Sequence, residues 1–88
     1  MIIEAYTNNG TRVRVGDEIE YSSSNGVAYV AYISLTNSNK IEHIETINVS
    51  DEYGMVVDLY DNKAIDKLTF TGKNCKKVYD MMKEIGPN

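Results

Sequence analysis

Two side chains of this sequence have the chemistry of catalytic groups, His43 and Cys75, and each is the only residue of its type. A histidine that acts as a general base needs a partner within reach, and a metal site needs three or four ligands. Glu42 and Glu45 flank His43, but on a strand Glu42 faces the opposite side. Cys75 lies among apolar residues at helical spacing, which is typical of a core cysteine. We expect both residues to be structural.

The segment Thr71-Gly72-Lys73-Asn74 lies between a predicted strand and a predicted helix, where phosphate-binding loops occur. A P-loop requires G-x-x-x-x-G-K-[ST], but this sequence has Lys67 in place of the first glycine and Asn74 in place of the Ser or Thr. The segment is therefore not an NTP-binding loop. Helix amides with Lys73 and Lys76 still suit a weak anion site. Small-molecule or nucleotide binding at this sheet–helix junction is accordingly the alternative function.

Acidic pairs such as Asp58 and Asp61, or Asp51 and Glu52, contain the oxygen ligands that calcium prefers. The calcium-loop pattern D-x-[DN]-x-[DN]-G is absent, as are the nucleophile elbow Gly-x-Ser-x-Gly and the zinc motif His-Glu-x-x-His. The sequence therefore predicts no metal, no cofactor and no catalytic residue. We expect a protein that is not an enzyme.

Seven tyrosines in 88 residues are the most suggestive feature for binding. Tyrosine supplies a large contact area and a hydroxyl at low entropic cost, and interfaces are rich in it. Tyr29 and Tyr79 fall on predicted core faces. The other face of the strands around them carries Ala28, Val30, Tyr32, Val56 and Tyr60. This second face is either covered by the sheet itself or open as a patch for a partner or a second copy.

Turn residues divide the rest of the chain into elements. Asn8-Asn9-Gly10 predicts a type I′ hairpin, and Ser24-Asn25-Gly26 predicts a second one. The longest β-type run, Val27–Thr36, is apolar on both faces in its first half, as expected for a central strand. Lys40–Ser50 fits helix or strand, and its β-branched residues favour a strand. Met55–Tyr60 and Ala64–Thr71 are the last predicted strands, with Leu68 and Phe70 inward.

The final segment changes its hydrophobic period from two to three and four. Cys75, Val78, Tyr79, Met82 and Ile85 form one stripe of an amphipathic helix over about 72–85. We expect Thr71 to cap it, Gly86 to follow its last turn and Pro87 to prevent its continuation. Such a helix must lay its apolar stripe on the sheet.

The sequence thus predicts a single α+β domain over 1–88, mostly β. An antiparallel meander of six or seven short strands, over about 1–71, is capped by the C-terminal helix. This order of elements is similar to that of pleckstrin-homology-type domains, in which a terminal helix caps a bent antiparallel sheet. No diagnostic motif accompanies the likeness, so it implies a fold and no functional residues. A small SH3-like barrel with an added helix is the alternative.

Charge and composition narrow the possible partners. The chain is 42% hydrophobic and 25% charged, with a net charge of −4 and no apolar run of membrane-spanning length. That sign disfavours direct binding to nucleic acid, and we expect no membrane contact. Residues 67–83 have a formal charge of +4, whereas residues 42–66 have −6. The seven acids of that acidic segment are Glu42, Glu45, Asp51, Glu52, Asp58, Asp61 and Asp66.

We therefore expect a non-catalytic protein-binding domain that presents the tyrosine and valine patch beside an acidic face. The residues expected to contact the partner are Val30, Tyr32, Val56, Tyr60, Glu42, Asp51, Asp58 and Asp61. An acidic face suits a basic partner surface. The charge pattern resembles that of small acidic inhibitors from phages and mobile elements, which mimic nucleic-acid charge. One cysteine and no signal peptide at the start predict a cytoplasmic protein.

Overall fold

The structure is a computed structural model that describes residues 2–21, 26–50 and 54–85; for residues 21, 49, 50, 54–56 and 85 it describes the backbone alone. Seven strands and two helices follow one another along the chain. They are β1 (Glu4–Tyr6), β2 (Arg12–Arg14), β3 (Asp17–Tyr21), β4 (Gly26–Leu35), β5 (Ile41–Ser50), β6 (Gly54–Asp61), α1 (Asn62–Ile65), β7 (Thr69–Asn74) and α2 (Lys76–Ile85). The predicted mostly-β chain with a C-terminal helix is confirmed.

Five of the strands form one antiparallel sheet in the order β6-β5-β4-β3-β7, and β1 and β2 form a separate hairpin. Within the described ranges, β6 pairs only with β5, and β7 pairs only with β3. The sheet is therefore open, with β6 and β7 as its two edges, and it does not close into a barrel.

The first hairpin forms where Asn8-Asn9-Gly10 predicts it, but its turn is of a different kind. The Gly10 amide donates to the Thr7 carbonyl oxygen at 3.0 Å, and the Thr7 amide donates to the Thr11 carbonyl oxygen at 2.9 Å. Only Gly10 has a positive φ in this loop, at 85°. A type I turn followed by a left-handed glycine makes a three-residue loop, whereas type I′ needs two positive φ angles. The predicted turn over Ser24 and Asn25 lies outside the described residues.

Two irregularities interrupt the pairing of β4 with β5. Val30 pairs with Thr46 and Tyr32 with Glu45, so Ala31 is an extra residue on β4. Ser34 pairs with His43 and Leu35 with Ile41, so Glu42 is an extra residue on β5. An extra residue reverses the alternation of the side chains beyond it. Ile33 therefore shares a face with Val30, which the strict alternation predicted from sequence did not allow.

Both faces of the sheet are packed, by different elements. On one face the side chains of Val30, Ile33 and Ile44 join Val13 and Val15 of the β1–β2 region, with Ile65 of α1, in the larger core cluster. On the other face Tyr29, Ala31 and Ile47 pack against Val78, Cys75 and Met82 at α2. The β1–β2 hairpin and α1 thus pack on one face of the sheet and α2 mainly on the other, and Tyr79 and Met82 of α2 also contact the larger cluster.

The segment between β6 and α2 differs from its predicted form. Asp61 and the next residues begin a short helix rather than a turn, because the Asp61 carboxylate accepts from the Ala64 amide at 2.8 Å. The last strand therefore starts at Thr69 instead of Ala64 and runs to Asn74. Leu68 and Phe70 pack against the larger core cluster, as predicted.

Helix α2 begins at Lys76, four residues later than predicted, and Thr71 is not its cap. The Thr71 hydroxyl instead donates to Glu18 at 3.0 Å, and β7 remains paired with β3 as far as Asn74. The first helical hydrogen bond runs from the Tyr79 amide to the Cys75 carbonyl oxygen. Gly86 and Pro87 lie outside the described residues. Because residues 71–74 belong to a strand, they do not form a loop of the phosphate-binding type.

Candidate functional site

Three rows of side chains cross β4, β5 and β6 on the face that carries α2. The cross-strand register places in successive rows Tyr29, Ile47 and Val57; Tyr32, Glu45 and Leu59; and Ser34, His43 and Asp61. Tyr29 and Ile47 lie beneath α2 and pack with Val78. The helix therefore covers the β4 and β5 members of the first row, and the described residues place no element over the other two rows.

The uncovered part of this face, which we call the open surface, consists of Tyr32, Ser34, His43, Glu45, Val57, Leu59 and Asp61. Leu59 is 64% exposed and Val57 is 56% exposed, the largest values among the large hydrophobic side chains described. Both lie on the edge strand β6. Neighbouring aliphatic side chains at such exposure form an apolar patch, and contiguous apolar patches are a feature of contact surfaces.

A polar cluster borders the apolar part of the open surface. The rings of Tyr32 and His43 lie 6.5 Å apart between centroids, and His43 Nδ1 lies 3.5 Å from Glu42 Oε1. Glu42 reaches His43 because it is the extra residue of the β5 bulge, so the expectation that it faces away from His43 is wrong. The His43 side chain is 27% exposed, which agrees with a half-buried structural histidine.

The described members of the predicted tyrosine and valine patch do not form one exposed surface. Val30 is fully buried and Ala28 is 1% exposed. Tyr60 shares their face and packs against the same core cluster. Tyr32 is on the opposite face, because the extra residue Ala31 reverses the alternation. Of the two alternatives drawn from sequence, the structure has the one in which the protein covers this second face itself.

The predicted acidic face is divided in the same way. Asp61 lies on the open surface and Glu42 beside it, whereas Asp58 pairs with Thr46 on the opposite face. Burial, and secondarily the charge of Asp58, raise the pKa of Tyr60 above its usual 10.0. Asp51 and the side chain of Val56 lie outside the described residues.

Val57 and Leu59 are the surface residues that sequence reasoning missed. Both alternating sets of residues in β6 contain apolar side chains: Val56 and Tyr60 belong to one set, and Val57 and Leu59 to the other. Which of the two sets is covered depends on where the β1–β2 hairpin and α2 pack. No local signal in β6 distinguishes the two faces.

A second candidate region is a cleft of about 150 Å³ between β2, the start of β3 and β7. Its walls carry the charged side chains of Arg12, Arg14, Lys73, Asp17 and Glu18. Asp17 accepts from the Arg14 amide at 2.8 Å and from the Asn74 side chain at 3.0 Å. Arg12 and Arg14 approach a single oxygen of Glu4 at 3.8 and 3.9 Å. Asp17 thus accepts its hydrogen bonds from neutral donors, and the guanidinium groups of Arg12 and Arg14 are weakly paired, at a long distance from Glu4.

The remaining sequence candidates have structural contacts. Cys75 is partly buried against the cluster of Ala31, Ile47 and Val78, as expected of a core cysteine. Lys76 forms an ion pair with Asp80 at 2.7 Å, and this hydrogen bond raises the Lys76 pKa. Over the ranges described, no group of three His, Cys, Asp or Glu side chains is arranged to hold a metal ion.

None of the described helices is both long enough and apolar enough to cross a membrane. Comparisons with protein-family models, curated proteins and solved structures give no significant match to this chain.

Proposed function

We propose that this chain is a non-catalytic protein-binding domain that contacts its partner through the open surface. The observation that carries the proposal is the exposure of Leu59 and Val57 side by side on an edge strand. Burying these two side chains in an interface would release most of their apolar area from water, at about 25 cal/mol for each Å². The flanking tyrosine is a residue type that interfaces favour.

The partner surface that suits this site is basic at its rim. Glu42, Glu45 and Asp61 lie on or beside the open surface, and the segment that contains them has a formal charge of −6. Complementary charge speeds association and excludes acidic competitors. An inhibitory or accessory protein of phage or mobile-element type, which covers a basic nucleic-acid-binding surface on its target, is our proposal for the biological role.

The proposal is tested by capturing partners with the purified chain from cells that encode it. The wild-type chain is compared with Leu59→Lys and with Tyr6→Lys, a matched change at an exposed side chain of β1. Proteins retained by wild type and Tyr6→Lys but lost with Leu59→Lys support the proposal. A set of captured proteins that Leu59→Lys leaves unchanged contradicts it.

The cleft favours a second candidate function, the binding of a small phosphate-bearing molecule. The cleft shares Gly72 and Lys73 with the sheet–helix junction suggested by the sequence, and Arg12 and Arg14 rather than Lys76 supply further positive charge. Guanidinium groups bind phosphate through paired hydrogen bonds. Phe70 adds an apolar wall.

Thermal unfolding with nucleoside monophosphates and inorganic phosphate tests this second function. A ligand at a hundred times its Kd adds about 2.7 kcal/mol to the free energy of unfolding. The stabilisation should disappear in Arg14→Gln with Lys73→Gln and persist in Lys83→Gln on α2. No shift with any of these probes contradicts the second function.

We also propose that the fold is related in its order of elements to pleckstrin-homology-type domains or to small SH3-like barrels. The support is the succession of antiparallel strands followed by one terminal amphipathic helix. The open sheet, with β6 and β7 as separate edges, sets this chain apart from a closed barrel.

A further inference from the structure

The two edges of the five-stranded sheet differ in their regularity. Strand β6 pairs with β5 over eight consecutive positions, from Gly54 to Asp61, without a register shift. Strand β7 is interrupted by Gly72, which has a φ of 86°, and its register with β3 shifts between Asp17 and Ile19. Bulges and kinks are the usual means by which an edge strand avoids pairing with another chain. β7 has this protection, whereas β6 is regular throughout.

A regular edge strand presents a row of backbone groups to whatever lies beside it. In an antiparallel pair, alternate residues direct their N–H and C=O groups away from the neighbouring strand. Within the described ranges, no strand lies on the outer side of β6. Lysines commonly protect exposed edges, but β6 contains none, and its charged residues are the acids Asp58 and Asp61, whose sign suits a basic strand.

From this edge and the acidic open surface we propose that the partner contributes an extended basic segment that pairs with β6 as a sixth strand. This inference rests on the proposed function and specifies the partner's form. Backbone hydrogen bonds to β6 supply a sequence-independent part of the affinity, and side chains on alternate positions supply specificity. The site is therefore the edge and the open surface together.

The register of the open surface defines the partner's sequence pattern. Val57, Leu59 and Asp61 project from the same face of β6 at alternate positions. Residues directly opposite them on an added strand lie within side-chain contact. The matching segment has two apolar residues and a Lys or Arg at alternate positions, and its basic end lies near Asp61 and Glu45.

A second copy of the chain fits this edge less well than a basic segment does. The chain has a net charge of −4, so two copies repel each other. Two β6 strands side by side would also bring the acids of both open surfaces into one interface. A basic segment has the complementary charge.

The proposal is tested with a capped Lys-Thr-Val-Thr-Val-Thr-Lys peptide, in which two valines and a flanking lysine occupy alternate positions for either strand direction. It is titrated into the isotopically labelled chain and followed by NMR. We expect saturable binding, slowed hydrogen exchange at alternate amides of β6, and contacts between peptide and β6 backbone protons. The same peptide with N-methyl groups on the edge-facing amides should bind about tenfold more weakly or worse, because the ladder hydrogen bonds are lost. The same peptide with both lysines replaced by glutamate should not bind.

Three outcomes would overturn the strand-addition proposal, and they differ in what they imply for the proposed function. If N-methylation leaves the affinity unchanged while Leu59→Lys abolishes binding, the open surface binds by side chains alone and the proposed function stands. If the chain is a dimer that Leu59→Lys dissociates, a second copy occupies β6. If the peptide does not bind and no captured protein depends on Leu59, both proposals fail.

Discussion

At the scale of single residues, Gly16 marks the point where the chain passes from the β1–β2 hairpin into the sheet. Its amide donates to the Val30 carbonyl oxygen at 2.7 Å, and its own carbonyl oxygen accepts from the Cys75 amide at 2.9 Å. Its φ is 93°, and a Cβ at this position would lie 2.9 Å from the Cys75 carbonyl oxygen. One residue thus ties the hairpin, β4 and the start of α2 together.

We expect Gly16→Ala to lower the free energy of unfolding by about 2–4 kcal/mol, because a left-handed backbone and a steric overlap add. Gly10→Ala is the matched control, since Gly10 has a φ of 85° but open space where a Cβ would lie. Gly10→Ala should lower the free energy of unfolding by about 1–2 kcal/mol, because only the left-handed backbone conformation is then unfavourable. Urea denaturation of both variants measures the difference, and equal losses would contradict the close approach to Cys75.

Tyr60 makes the stability of the folded protein depend on pH in the alkaline range. Its pKa is raised in the folded state, first by burial and then by Asp58, so the folded protein holds this proton more tightly than the unfolded chain. Its contribution to stability is therefore fully present below about pH 10, the unfolded pKa, and is lost as the pH rises through the folded value. Tyr60→Phe should reduce this alkaline loss.

An ultraviolet pH titration compared between wild type and Tyr60→Phe isolates the pKa of this phenol. We expect Asp58→Asn to move it towards 10.0 without reaching it, because burial is the larger cause. A Tyr60 pKa at or below the value of a free tyrosine would refute the assignment of this side chain to the covered face.

At the scale of elements, α2 covers part of one face of the sheet. Val78 of this helix is buried and packs with Ala31 and Ile47, whereas Met81 is 42% exposed. Val78→Ala should cost about 2 kcal/mol of unfolding free energy, because two buried carbons are removed. Met81→Ala should change it by less than about 0.5 kcal/mol. Chemical denaturation that gives equal costs would mean that α2 does not dock on β4.

The elements could be predicted from sequence where pattern and turn residues agree. The hairpin at Gly10 and the amphipathic stripe of α2 are examples. The strand over Ile41–Ser50 was favoured by its β-branched residues, although its pattern also suited a helix. The faces could not be predicted beyond Ala31, because an extra residue in an apolar run has no sequence signature, yet it reverses the alternation after it. The late start of α2 could not be predicted either, because Thr71 is a residue type that commonly caps helices but its hydroxyl donates to Glu18 instead.

At the scale of the whole molecule, charge is distributed unevenly over the fold. The acidic segment forms β5, β6 and α1, and the basic segment forms β7 and α2. Sequence showed this separation of charge but not that bulges and strand alternation would divide the acids between two faces. The open surface keeps Glu45 and Asp61, with Glu42 at its border.

The net charge and the covered Val30 face predict a monomer in solution. We expect light scattering to give the mass of one chain, 9.9 kDa, at low and at moderate salt. A mass twice as large that survives Leu59→Lys would indicate an association surface elsewhere on the molecule.

Binding of a basic partner should also weaken as salt is raised. Exposed charges interact over a Debye length of about 10 Å at 0.1 M ionic strength, and this range shrinks with added salt. The association rate constant should fall with ionic strength more steeply than the dissociation rate constant rises. Surface plasmon resonance over a salt series separates the two rates, and an association rate independent of salt would argue against a basic partner.

The most direct test is the affinity of a captured partner for three forms of the chain, measured by calorimetry. The open surface predicts that Leu59→Lys weakens binding about tenfold or more, while Tyr6→Lys on β1 leaves it within error of wild type. Equal affinities for all three forms would show that the partner binds elsewhere and would contradict the assignment of the open surface as the functional site.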